Sequence, residues 1–204
     1  MANAALSVAQ TGGFAVTAAD AGTGLVTLGS DGAITGGGVI GSALTIRGAG
    51  LAGTRAGGLN LTAGNAITTL DALTADAALG FAQTAGITVT AADAGTGNVT
   101  LRSDGAISGS GVVGNTLTIR GAAGGTSRVA GLNLTTGNGI GTLDALVNNA
   151  ALTFAQTGGF AVAAADAGTW NVTLGSGGVI SGGGVVGNTL TLRGAAGGAS
   201  RAGA

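Results

Sequence analysis

The sequence predicts an all-β fold, a single-stranded parallel β-helix (β-solenoid) built by stacking short coils of chain. Three observations carry this expectation. A stretch beginning Asn98-Val-Thr-Leu-Arg-Ser-Asp-Gly-Ala-Ile-Ser-Gly-Ser-Gly returns nearly verbatim from Leu25 and from Asn171, at the same spacing each time. Repetition at fixed spacing marks architectures in which each unit buries its apolar side against its neighbours. The repeated text is also strewn with apolar–polar–apolar triplets, the period-2 pattern of strands. Finally, 45 of the 204 residues are Gly and none is Pro. Gly allows tight corners, and the lack of Pro leaves every backbone donor free for a fully paired ladder.

The strand openings come in order at Leu6, Val26, Leu44, Leu59, Leu79, Val99, Leu117, Leu132, Leu152, Val172 and Leu190, each the first residue of such a triplet. Successive openings lie 15 to 20 residues apart, which predicts rungs of about 16–20 residues, a length that suits a solenoid. The sequence thus predicts four rungs per 73-residue repeat and about eleven rungs in all. At roughly 4.8 Å per rung this is a rod of about 50 Å. Asp-Gly, Asn-Gly and Gly-Gly pairs between strands supply turns. The repeat units are residues 1–24 (partial), 25–97, 98–170 and 171–204 (partial), in one continuous solenoid. Both ends fall in mid-pattern, which predicts a fragment of a longer array. The Ala/Leu-rich runs from Asp71 to Leu79 and from Asp144 to Leu152 offer a competing expectation, a short helical turn packed on the rod.

Composition narrows the function classes. The net charge is −1 and charged residues make up 7% of the chain, which gives no electrostatic case for nucleic acid or an anionic membrane. No window is apolar for long enough to span a bilayer as a helix. No basic-then-apolar leader is visible at the start. His and Cys are absent, every base is Arg and every acid is Asp. A zinc or iron centre therefore has no ligand set, and no cofactor is expected.

The Asn-Val-Thr-Leu and Thr-Leu-Thr-Ile-Arg-Gly phrases, with their Ser-Asp-Gly turns, resemble the repeats of filamentous-haemagglutinin-like and autotransporter passenger proteins. The resemblance is one of rhythm and composition over nearly the whole chain. It implies a right-handed parallel β-helix in a secreted or cell-surface bacterial adhesin, with host-surface glycans or proteins as partners. The family's secretion domain and membrane-anchoring barrel are not in this sequence.

Individual polar residues fit the same scaffold. Asp31 and Asp104 sit in Ser-Asp-Gly turns where the third copy has Gly177, so turn chemistry is favoured over calcium. Asp20, Asp93 and Asp166 recur one unit apart, as do Asp71 and Asp144. On the four-rung reading their separation is too long for the paired carboxyls of a glycosidase, and no enzyme is expected. Arg47, Arg120 and Arg193 share one repeat position and Arg55, Arg128 and Arg201 another; the expectation is solvated arginines that keep edges soluble. Arg102 and Arg120, on neighbouring rungs, form a small basic spot that could take an anionic glycan. Trp170 replaces Gly97 of the previous copy and is the third candidate surface contact. The Asn-x-Thr triplets at Asn60, Asn98, Asn133 and Asn171 are read as turn-then-strand chemistry. The outward column of Thr27, Thr45, Thr100, Thr118, Thr153, Thr173 and Thr191 raises ice binding, but Asn60, Gly80 and Asn133 interrupt it. The leading functional expectation is a rigid, shallowly adhesive spacer. The alternative is end-to-end stacking of copies into filaments; an ice-binding solenoid and a polysaccharide-acting enzyme are minor readings.

Overall fold

The computed structural model describes residues 3–195, and Arg201 lies outside them. The described residues form twenty strands in one parallel sheet with no helix, a β-solenoid. The runs after Asp71 and Asp144 are therefore strand ends and turns: Gly58–Leu73 and Gly139–Leu146 are extended, and tight turns follow. Asp76 and Asn149 take positive φ there (50° and 45°), which stops the strand without starting a helix.

Two hydrogen-bonded ladders run the length of the rod. The first passes through Leu6, Val26, Leu44, Leu70, Val89, Gly109, Leu134, Phe154, Leu174 and Leu192. The second passes through Phe14, Ile34, Leu59, Leu79, Val99, Leu117, Leu143, Val162 and Gly182. The ladders face one another across the core, where the rings of Phe154 and Phe160 meet edge to face with centroids 5.2 Å apart. Ten levels in the first ladder make about nine coils. Coil length varies, from a short coil such as Val26 to Leu44 to the long one that follows it, Leu44 to Leu70.

This corrects the expectation of eleven short, even rungs, four to a unit. Leu59 stacks on Ile34 of the second ladder, and it is Leu70 that stacks on Leu44. The step from Leu44 to Leu59 is therefore half a coil, lengthened by the loop at residues 48–57. From Leu6 to Leu79 the chain opens seven half-coils, at Leu6, Phe14, Val26, Ile34, Leu44, Leu59 and Leu70, alternating between ladders. One repeat unit is thus three and a half coils. Because seven is odd, Leu6 lies in the first ladder, its equivalent Leu79 in the second, and Leu152 again in the first.

The core follows from the period-2 pattern. Val26, Leu44, Leu70, Val99, Leu117 and Leu143 have no exposed surface, and Phe81 and Phe154 are the largest of the fully buried side chains. Each such aliphatic side chain contributes about 1.5–3 kcal/mol by leaving water. No coil can bury them alone; the coils above and below do.

Candidate functional site

Three sets of repeated polar residues are spent on joining coil to coil. The first set is inside. Gln83 is 4% exposed, accepts the N–H of Ile67 (3.0 Å) and donates to the carbonyls of Ile67 (2.9 Å), Ala85 and Gly86. Gln156 repeats the pattern on Ile140. Asn65 accepts the N–H of Val39 and donates to the carbonyls of Leu61 and Ala82; its equivalent Asn138 accepts from Val112 and donates to Ala155. The register slips between Leu61 and Asn65 and between Gly109 and Ser110, leaving backbone groups without ladder partners. The buried amides supply those partners, as buried polar groups require. Ser30, Ser103 and Ser176 likewise donate to the carbonyls of Gly12, Ala85 and Gly158 of the preceding coil.

The second set caps turns. Asp31 and Asp104 accept the N–H groups of Ala49 and Ala122, each at 2.8 Å and one coil away. Asn3, Asp76 and Asn149 accept the N–H groups of Thr23, Thr96 and Thr169 in the same way. Among the described residues no group of three or more acidic side chains converges as a metal site.

The third set is ionic, and here the sequence reading is corrected. Arg47, Arg55, Arg120 and Arg128 are paired to carboxylates. Arg47 meets Asp71 at 2.6 Å and Arg120 meets Asp144 at 2.7 Å, one coil on. Arg55 reaches Asp93, and Arg128 reaches Asp166, each at 2.5 Å. On the way, Arg55 also donates to the carbonyl of Thr74, and Arg128 to that of Val147. Arg55 and Arg128 therefore staple the loops at residues 48–57 and 121–130 to later coils. The hydrogen bond from Arg55 holds Asp93 below the ordinary carboxylate range, against the opposing effect of burial, and the N–H of Gly95 adds to it.

A depressed carboxylate pKa contributes stability above the unfolded value, about 4, and loses it as pH falls through the folded value. Arg55→Ala is therefore expected to destabilise the protein at pH 7 and to do so less as pH falls and Asp93 is protonated, where only the bond to the carbonyl of Thr74 is lost. Because Arg55 is 40% exposed, solvent screening keeps the pH 7 effect to about 1 kcal/mol or less. Denaturant titrations at pH 7 and pH 2 check this; an equal effect at both would show that the pair is not the cause.

The three candidate contacts fare differently. Arg120 and Arg102 are register partners, as expected of neighbouring coils. Arg120, however, is bound to Asp144 and to the carbonyls of Ile119, Asp144 and Gly125, so it is part of the stapling. Trp170 is 55% exposed in the turn after Ala167. Arg102 lines a groove, and its Nε is buried without a hydrogen-bond partner.

That groove is one of three hollows of similar size on the described part of the rod. It encloses about 420 Å³ and lies across the second ladder, where Asn60, Gly80 and Thr100 stand on successive coils. Thr62, Asn98 and Arg102 complete its polar lining. Similar hollows lie around Asn133 and Thr153 (about 350 Å³) and around Thr153 and Thr173 (about 410 Å³), both on the first ladder. No family model, curated protein or solved structure matches the chain.

The outward Thr column does not exist as one face. Thr27 and Thr45 are followed in their ladder by Asp71, and Thr100 and Thr118 lie in the other ladder and lead to Asp144. The sequence reading missed both this split and the Arg–Asp pairs. The pairs are 24 and 38 residues apart, spacings that mean contact only once the coil length is known.

Proposed function

We propose that this chain is a structural segment of a repetitive bacterial surface or secreted protein, a stiff spacer that also offers a shallow binding surface. The observation that supports this reading is what the repeat preserves. Alongside the apolar core, the side chains that recur from one copy to the next include those that fasten coil to coil: Gln83 and Gln156, Asn65 and Asn138, and the four Arg–Asp pairs. The rhythm shared with filamentous-haemagglutinin-like and autotransporter passenger repeats agrees with this role. The same resemblance supports an adhesive partner on a host surface and a place outside the cell. No catalytic role is proposed, since each repeated carboxylate already serves a turn or an ion pair.

A spacer of this kind lengthens by addition. Inserting one further copy of residues 98–170 is expected to extend the rod by about 17 Å, three and a half coils at roughly 4.8 Å, with an unchanged cross-section. Small-angle X-ray scattering measures both quantities. A particle that swells in cross-section, or whose added length is flexible, would remove the spacer reading.

A further inference from the structure

We propose that the groove over Gly80 is a binding site for an anionic saccharide, with Arg102 as the residue that reads the charge. The inference rests on the spacer-and-binding-surface reading above and names the ligand class of that surface.

The repeat itself isolates the site. Most of the groove's lining is common to the copies: Asn60 and Thr62 return as Asn133 and Thr135, and Thr100 as Thr27 and Thr173. Two of its positions each depart from both of their equivalents, one in each of two successive copies. Gly80 stands where the other copies carry Ser7 and Thr153, and Arg102 stands where they carry Gly29 and Gly175. One change removes a side chain from the floor, and the other places a cation on the rim. Both fall in one hollow.

Nothing in the backbone demands glycine at position 80. Its φ is ordinary, and the nearest atom an added Cβ would meet is the flexible end of Asn60, at 3.1 Å. The missing side chain opens space without being needed for the fold. Arg102 has a partial packing explanation. In the first copy the side chain of Leu51 covers Gly29; in the second the partners are exchanged, and Arg102 covers Gly124. The atoms that lie over Gly124 are those of the guanidinium itself, Cζ, Nη1 and Nε, so this packing accounts for where Nε is buried. It does not supply a hydrogen-bond partner for Nε, which has none, whereas four other arginines each have a carboxylate.

The chemistry of the lining selects the ligand. A planar guanidinium fork matches a carboxylate or sulfate oxygen pair. The amides of Asn60 and Asn98 and the hydroxyls of Thr62 and Thr100 both donate and accept, which suits the hydroxyl groups of a sugar ring. A volume of about 420 Å³ is at the lower end of the range for small-molecule sites. The shared requirement is a saccharide carrying an anionic group; uronates and sulfated sugars both meet it.

The test titrates the whole chain with oligogalacturonate, with heparin-derived oligosaccharide and with neutral maltooligosaccharide, read by calorimetry and by amide chemical shifts. At least one anionic probe is expected to bind at least tenfold more tightly than the neutral one, with shifts at residues 60, 80, 98 and 100. Whether the uronate or the sulfated probe binds better identifies the anion. Arg102→Met removes the charge; it is expected to weaken binding at least tenfold with an unchanged melting midpoint. Gly80→Thr, which copies Thr153, is expected to do the same by filling the floor. The proposal is overturned if neither anionic probe binds, or if both variants bind as the parent does. The lengthening experiment uses no ligand, so its outcome is independent of this one.

Discussion

Gly109→Ala is expected to destabilise the rod by about 4 kcal/mol, the sum of backbone strain and overpacking. Gly109 has φ +117°, and its equivalents Gly36 and Gly182 have +101° and +96°. A Cβ at any of the three would also run into the carbonyl oxygen of a Val on the coil beneath, Val89, Val16 and Val162 respectively. The residue cannot retreat, because the coils on either side fix its height. Gly183 is the control: a Cβ there meets nothing within 4 Å, and the middle copy carries Ser110 at that position. Gly183→Ser is expected to stay within about 0.5 kcal/mol. Urea denaturation measures both; a Gly109→Ala protein no less stable than the parent would show that the coils can slide apart locally.

The second large effect belongs to the buried amides. Gln83→Leu keeps the approximate volume and removes four hydrogen bonds; the buried N–H and C=O of Ile67 lose this partner, while the carbonyl of Ala85 keeps Ser103. With about 1–3 kcal/mol for each buried group left unpaired, a loss of about 2 kcal/mol or more is expected. Gln10 holds the same repeat position but is exposed and bonds only to the carbonyls of Gly12 and Gly13. Gln10→Leu is expected to be nearly neutral. Equal effects at the two positions would mean that the amide is not bridging coils.

The strands were legible because their signal is local. Triplets such as Val99-Thr100-Leu101 alternate inward and outward in the structure as the period requires, with Val99 and Leu101 buried and Thr100 between them partly exposed. What spacing could not reveal was which coil lies on which. The step from Leu44 to Leu59 fits a short whole coil as well as a half-coil carrying a long loop. Only the pairing of Leu44 with Leu70 decides. Everything that depended on the count followed it. The polar column divided between two ladders, and Arg47 and Arg120 proved to be paired one coil on rather than solvated. The groove was legible in part: Arg102 stood out as a basic residue, but Gly80 gained meaning only when Asn60 and Thr100 were found below and above it.

The odd number of half-coils has a mechanical consequence. Each copy carries one uneven feature, the loop at residues 48–57 in one and at 121–130 in the next. The first loop leaves the ladder of Leu44 and the second the opposite ladder of Leu117. Any sideways curvature that a loop imposes on its own stretch of rod is met, three and a half coils later, by the same push from the other side. Curvature cancels in pairs of copies, as warping does between crossed plies of wood. Lengthening such an array by whole pairs preserves its straightness, with no residue assigned to keep it.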